Sequence, residues 1–146
     1  MTKAFVQKQF AKSKEYHRVL ATIEKTRRCP FCKANFKYHK KPILKRYGGW
    51  MATENSWPYQ GTKVHCLLIA ESHKEHFAEL TKSDFKAVRY LTNWLIKKLR
   101  IRGGGLALRF GNPRYTGATV RHLHFQIIQP AETPQGNIHV INFPIG

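Results

Sequence analysis

The stretch T-V-R-H-L-H-F-Q-I-I at 119–128 places polar side chains on every second residue of an otherwise apolar run. In an extended strand alternate side chains share a face. His122, His124 and Gln126 are therefore predicted to line one surface, and Leu123 and Phe125 the other. Neighbours on that surface sit roughly 7 Å apart, so two histidines can serve separate tasks within one site. A lone histidine on a strand is usually a hydrogen-bonded structural residue. A repeat H-x-H-x-Q that follows G-N-P-R-Y-T-G-A-T points instead to chemistry. That loop has the features of a phosphate site: Gly111 and Gly117 allow close backbone approach, and Asn112, Thr116 and Thr119 can donate hydrogen bonds.

The elements around the strand define an α+β chain. Residues 3–26 carry Phe5, Val6, Phe10, Tyr16, Leu20 and Ile23 near helical spacing with lysines between them, which predicts a basic amphipathic helix. R-R-C-P-F-C then turns the chain, and the basic run 36–49 reads as loose packing or a hairpin ended by its glycine pair. W-M-A-T-E-N-S-W-P-Y reads as a strand stopped at Pro58, and K-V-H-C-L-L-I-A as a mostly apolar strand. The clearest helix follows. Thr81 and Asp84 form a capping-box variant, and Phe85, Val88, Leu91, Leu95 and Leu99 make an apolar stripe. Gly103–Gly105 stop it, and L-A-L-R-F, T-V-R-H-L-H-F-Q-I-I and I-H-V-I-N-F are predicted as strands. Neither repeats nor an internal boundary break the chain. The expected organisation is a basic helical extension over 1–26 and one domain over 27–146, with an antiparallel sheet and the long helix packed on it.

Of 146 residues, 26 are Lys or Arg and 8 are Asp or Glu, a formal charge of +18. Such a field attracts polyanions and raises their encounter rate. The basic residues cluster in 3–28, 37–46 and 97–102, and Phe36, Tyr38, Tyr47, Trp50 and Trp57 are interleaved with or flank them, a pattern that suits RNA or single strands. No apolar stretch approaches the ~20 residues needed to span a bilayer, so no membrane association is expected. Three cysteines, two of them in C-P-F-C, suit a reducing compartment and hence the cytoplasm.

T-G-A-T-V-R-H-L-H-F-Q-I-I-Q-P resembles the signature of the histidine triad (HIT) superfamily. Its H-x-H-x-Q form is similar to the nucleotidyltransferase branch, which includes galactose-1-phosphate uridylyltransferase and the diadenosine tetraphosphate phosphorylases. N-S-W-P-Y-Q-G-T-K-V-H-C-L-L-I-A-E-S-H adds to the resemblance, which covers residues 27–130. It implies that His124 is the nucleophile attacking the α-phosphorus of a nucleotide to form a nucleotidyl-histidine. Gln126 would donate to a phosphoryl oxygen. Asn55 matches a ribose-binding position, while Asn112 and Thr119, with Gly117 beside them, match the phosphate-binding segment. The chain departs from the pattern at three places. Gln126 replaces the third histidine, which favours transfer or phosphorolysis over hydrolysis. Pro113 stands where Gly is usual, and Ala70-Glu71 replace the usual Pro.

C-P-F-C at 29–32 has the spacing of a zinc knuckle, although the same spacing serves redox motifs or no special role. The resemblance implies the remaining ligands, His73 and His122, with His65 and His76 as nearby rivals for the place of His73. The expected site is Cys29, Cys32, His73 and His122 holding a structural Zn2+. Cys66 is expected to be an inert core residue. Two functions compete. One is a nucleotide-processing enzyme acting on a dinucleoside polyphosphate or nucleotide adduct. The other is a basic protein binding RNA, a DNA end or the ribosome on the same scaffold. The family habit of pairing through the long helix and a strand implies a homodimer.

Overall fold

A computed structural model of the chain describes residues 3–146. Its centre is a five-stranded antiparallel sheet in the order β1-β2-β3-β5-β4. The strands are β1 (Ile43–Tyr47), β2 (Trp50–Glu54), β3 (Thr62–Ala70), β4 (Gly105–Leu108) and β5 (His124–Pro130). Helices α1 (Lys14–Thr26) and α2 (Lys82–Lys98) are separated in sequence by three of those strands, and the short α3 (Pro113–Thr116) precedes β5. The architecture is α+β, as the element order predicts.

The pleat divides the sheet residues into two cores. Trp50, Ala52, Cys66, Leu68, Phe125 and Ile127 point to one face and meet Ala87, Val88, Leu91 and Leu95 of α2. Met51, Leu67 and Ile69 point to the other, where Phe31, Phe36 and Ile43 cover them. Burying a leucine such as Leu91 contributes a few kcal/mol, and truncating it to Ala costs about 2–5 kcal/mol. The α2 start is the capping box read from sequence: Thr81 Oγ1 accepts from the Asp84 backbone N–H, and the Asp84 carboxylate accepts from that of Thr81. Asp84 also accepts from Trp50 Nε1 at 2.8 Å, which ties the helix to β2.

Three local expectations give way. The first helix begins at Lys14, where Ser13 caps it, rather than at residue 3. Val6 instead forms an isolated antiparallel bridge with Val120, and its apolar side chain joins Leu20 and Ile23. Phe85 is 45% exposed and lies near Phe77 instead of joining the helix stripe in the core. The I-H-V-I-N-F segment forms no strand. It carries only the Glu132–Ile138 bridge, and Val140 is 88% exposed. Its route is set by Arg109, whose Nε donates to the Pro144 carbonyl at 3.0 Å and whose guanidinium stacks 3.8 Å from the Phe143 ring.

Candidate active site

β5 lies beside β3 at the middle of the sheet, with Ile69 opposite His124 and Leu67 opposite Gln126. The pleat therefore turns His124 and Gln126 away from α2, towards the layer built by residues 29–38 and α1. The strand starts at His124, so His122 and Leu123 lie on the segment leading into it. Phe31 nevertheless touches both imidazoles edge-on, at 5.9 Å from His122 and 5.1 Å from His124.

The hydrogen bonds fix the tautomer of each ring. His124 Nδ1 lies 2.7 Å from the His122 carbonyl, so Nδ1–H donates and Nε2 keeps its lone pair. Burial pushes the His124 pKa down to about 4, with the carbonyl bond opposing and the nearby Arg109 charge assisting. The ring is thus neutral near pH 7, the state a nucleophile needs.

Gln126 is held by His65, which the sequence presents only as a rival metal ligand. His65 Nδ1 accepts from the Tyr59 backbone N–H at 3.0 Å, which leaves Nε2–H to donate to Gln126 Oε1 at 2.7 Å. The bond to Oε1 orients the Gln126 amide and leaves its NH2 to donate to a ligand. Asn55 Nδ2 lies 3.2 Å from the same His65 Nε2, and Asn55 Oδ1 accepts from Trp57 N–H. The signal for His65 was available in sequence: it shares a strand face with Leu67 and Ile69, a polar residue at a position facing inward.

Thr119 Oγ1 is 2.8 Å from Tyr16 Oη, so α1 reaches the segment before β5. Tyr16 stacks on Trp57 at 5.2 Å, and the two help line a cavity with Val19, Phe31, Asn55 and Val120. Asn112 and Gly117 frame α3: Asn112 Oδ1 accepts from Arg114 N–H at the start, and Gly117 closes the end. His124, Gln126, His65 and Asn55 thus form one group, and Asn112 and Gly117 belong to the neighbouring loop.

The second group is Cys29, Cys32, His73 and His122, whose ligand atoms lie within 4.8 Å of one another. His122 Nε2–H donates to the Ala70 carbonyl at 2.6 Å and His73 Nε2–H to Glu75 Oε1 at 2.8 Å. Both Nδ1 atoms therefore carry bare lone pairs, yet they face each other at 3.2 Å. Cys29 Sγ is 3.3 Å from His122 Nδ1, and Cys32 Sγ is 3.4 Å from His73 Nδ1. Around a tetrahedral zinc with bonds of about 2.1 Å to N and 2.3 Å to S, adjacent ligand atoms stand roughly 3.4–3.8 Å apart. The donor set and its spacing are compatible with zinc. The two bare Nδ1 lone pairs facing each other favour a cation between them, and burial pushes the Cys29 thiol up to about 12, so a cation would be needed to hold it as thiolate. His65 and His76 are outside this group. Glu75, buried and also paired with Lys3 and Arg121, fixes the His73 ring from behind. Cys66 is fully buried among apolar side chains.

An antiparallel sheet with a long helix on one face and H-x-H-x-Q on the other defines a class of fold. No protein-family model matches the chain, and no curated protein matches it. Solved structures do. A HIT family hydrolase from Clostridium thermocellum is 24% identical over 70% of this chain and 90% of its own, with a TM-score of 0.56. A zinc-bound histidine triad family protein from Mycobacterium smegmatis is 15% identical over 75% and 79%, with a TM-score of 0.55. The diadenosine triphosphate hydrolase of Plasmodium falciparum is 20% identical over 67% and 65%, with a TM-score of 0.51. The chain has the fold of the histidine triad proteins. No helix among the described residues is long and apolar enough to cross a membrane.

Proposed function

We propose that the protein is a nucleotide-processing enzyme of the histidine triad superfamily, in its H-x-H-x-Q nucleotidyltransferase and phosphorylase-like branch. Its substrate class is a dinucleoside polyphosphate or a nucleotide adduct. The observation that carries the reading is the His124 ring: neutral, half-buried, oriented by a carbonyl at Nδ1, with Nε2 bare and Gln126 two residues on along the same strand face. The lone pair of Nε2 attacks the α-phosphorus, an N–P bond forms, and the P–O bond to the leaving phosphate breaks. Water, inorganic phosphate or another acceptor then attacks the same phosphorus and frees His124. Gln126 steadies the phosphoryl oxygen through its NH2, and an oxyanion donor of this kind is worth roughly 10²–10³ in kcat. Asn55 binds the ribose, while Asn112, Gly117 and Thr119 serve the phosphates.

Cys29, Cys32, His73 and His122 would hold Zn2+. Four protein ligands leave no open position, so the ion's contribution is structural. The same reading expects a cytoplasmic protein and a homodimer paired through α2 and an edge strand. Such pairing would cover the exposed Leu106 of β4 and, on α2, the exposed Ile96, which lies about 120° around the helix from Tyr90 and leaves the Tyr90 flank uncovered.

The test is intact-mass measurement after incubation with diadenosine tetraphosphate, with and without inorganic phosphate. Wild type should gain a nucleotidyl mass that acid releases, and His124→Ala should gain none. Absence of both adduct and turnover across mono- and dinucleotides would exclude the reading.

A further inference from the structure

The strongest unexplained surface lies on the far side of the sheet from His124. Between residues 82 and 102 the chain has seven basic residues and one acid. That acid, Asp84, is buried and consumed by Lys74, Thr81 and Trp50. No carboxylate of α2 therefore faces solvent. The basic face of α1 differs, because Glu15 and Glu24 interrupt it and pair with Lys40 and Lys8.

Helical spacing aligns the α2 cations. Lys82, Lys86, Arg89 and Lys97, with Asn93 between, follow an i, i+4, i+7, i+11, i+15 course opposite the buried Val88, Leu91 and Leu95. The row runs about 22 Å at 1.5 Å per residue. Along one flank stands an aromatic pair: Tyr90 of α2 and Tyr47 of β1 stack at 3.8 Å and 20°, each more than a third exposed. Next to it Lys45 Nζ sits over the Trp94 ring at 5.9 Å. Both Tyr47 and Lys45 reach this side because the pleat of β1 pairs them with Trp50 and Ala52, whose side chains face α2.

We propose that the outer face of α2, with the Tyr47–Tyr90 pair beside it, is a docking surface for single-stranded nucleic acid. An unopposed row of cations tracks a phosphate backbone, and exposed aromatic rings next to it accept unstacked bases. A purely acidic protein partner would use the cations and leave the tyrosines idle. A duplex keeps its bases stacked inside and would do the same. The surface is separate from the nucleotide site, since α2 and His124 lie on opposite faces of the sheet.

Fluorescence anisotropy of a fluorescein-labelled oligouridylate titrated with the whole protein tests this. Four phosphate contacts to a single strand predict a slope of log Kobs against log salt of about −3. The triple variant Lys86→Glu, Arg89→Glu, Lys97→Glu should weaken binding more than tenfold and flatten that slope. Tyr90→Ala alone should weaken it about tenfold, with the salt slope unchanged. His124→Ala should bind like wild type. The counter-variant Lys12→Glu, Lys14→Glu, Arg18→Glu controls for net charge and should lose much less. No binding at low salt overturns the proposal, as does equal loss in the two triple variants. Equal affinity for a duplex of the same length, or indifference to Tyr90→Ala, also overturns it, because the aromatic pair would then have no role. The substituted Lys, Arg and Tyr side chains are solvent-facing, and circular dichroism melting verifies the fold. Should the α2 triple variant melt early, Tyr90→Ala and Arg89→Gln decide the matter singly.

Discussion

At the scale of single residues, the site is a set of rings and amides whose orientation is dictated by neighbouring backbone groups. His124 is turned by the His122 carbonyl, and Gln126 by His65, which is itself turned by the Tyr59 N–H. The chain Tyr59–His65–Gln126 has a direct consequence. If His65 acts only by holding the Gln126 amide, His65→Phe should lower kcat by about tenfold to a hundredfold, below the cost of removing an oxyanion donor outright. KM should change little, since His65 contacts no part of the substrate in this scheme. A double variant with Gln126→Ala should then be no worse than Gln126→Ala alone, by the logic of a coupled pair. Steady-state kinetics of the three variants measures this, and additive losses would remove the positioning role. His65→Asn, which keeps a donor, should recover part of the rate.

At the scale of elements, stability is concentrated where one residue serves two elements. Asp84 caps α2, binds Trp50 of β2 and pairs with Lys74. Burial alone would raise its pKa, but the bonds from Lys74, Thr81 and Trp50 outweigh that and hold the carboxyl below its usual range. A carboxylate with a depressed folded pKa contributes stability above its unfolded pKa, and this is lost as pH falls through the folded value. Asp84→Asn should therefore cost about 2 kcal/mol at pH 7, and the gap from wild type should narrow progressively below pH 4. Urea melts across pH check it; a gap that stays constant would exclude the charge as the cause. Gly104 serves a different pairing. A Cβ there would meet the Ile128 carbonyl at 2.1 Å, so Gly104→Ala should shift β4 against β5 and cost about 1–3 kcal/mol in the same melts. In sequence that glycine reads only as a helix stop. The capping box, β3 and the core stripe of α2 were legible because local periodicity and tertiary burial agree there. The strand expected at I-H-V-I-N-F was not, because alternation announces a strand without supplying a sheet edge to pair with. The helix expected from residue 3 failed similarly: residues 5–7 pair with 119–121, and that partner lies more than a hundred residues away. Of the Cys29, Cys32, His73 and His122 cluster, the cysteines are legible in their own spacing, while the two histidines follow only from resemblance, since C-x-x-C by itself leaves its partners open.

At the scale of the molecule, the two faces of the sheet depend on different forces. The α2 face is a hydrophobic core complete in itself, closed by Leu68, Leu91, Leu95 and Phe125. The His124 face has a thinner apolar layer, Met51, Leu67 and Ile69, beneath Phe31 and Phe36, and Phe31 links it to the small cluster of Val6, Leu20, Ile23 and Val120. Cys29 and Cys32 converge there on His73 and His122, which joins the covering segment to the ends of β3 and β5. If zinc closes this clasp, its removal should loosen one face and spare the other. Stripping the metal with a strong chelator should lower Tm and speed amide exchange in residues 5–7, 29–38 and 119–122. Exchange in α2 and the centre of β3 should remain slow. Cys29→Ser should reproduce that pattern without chelator and lower the bound zinc. Catalytic competence should fall in step, because Phe31, which packs on the His124 ring, is carried by the loosened segment. Hydrogen exchange by mass spectrometry resolves the two faces. Uniform loss of protection would mean that the metal supports the whole fold, and no change at 29–38 would mean that the clasp does not hold the cover.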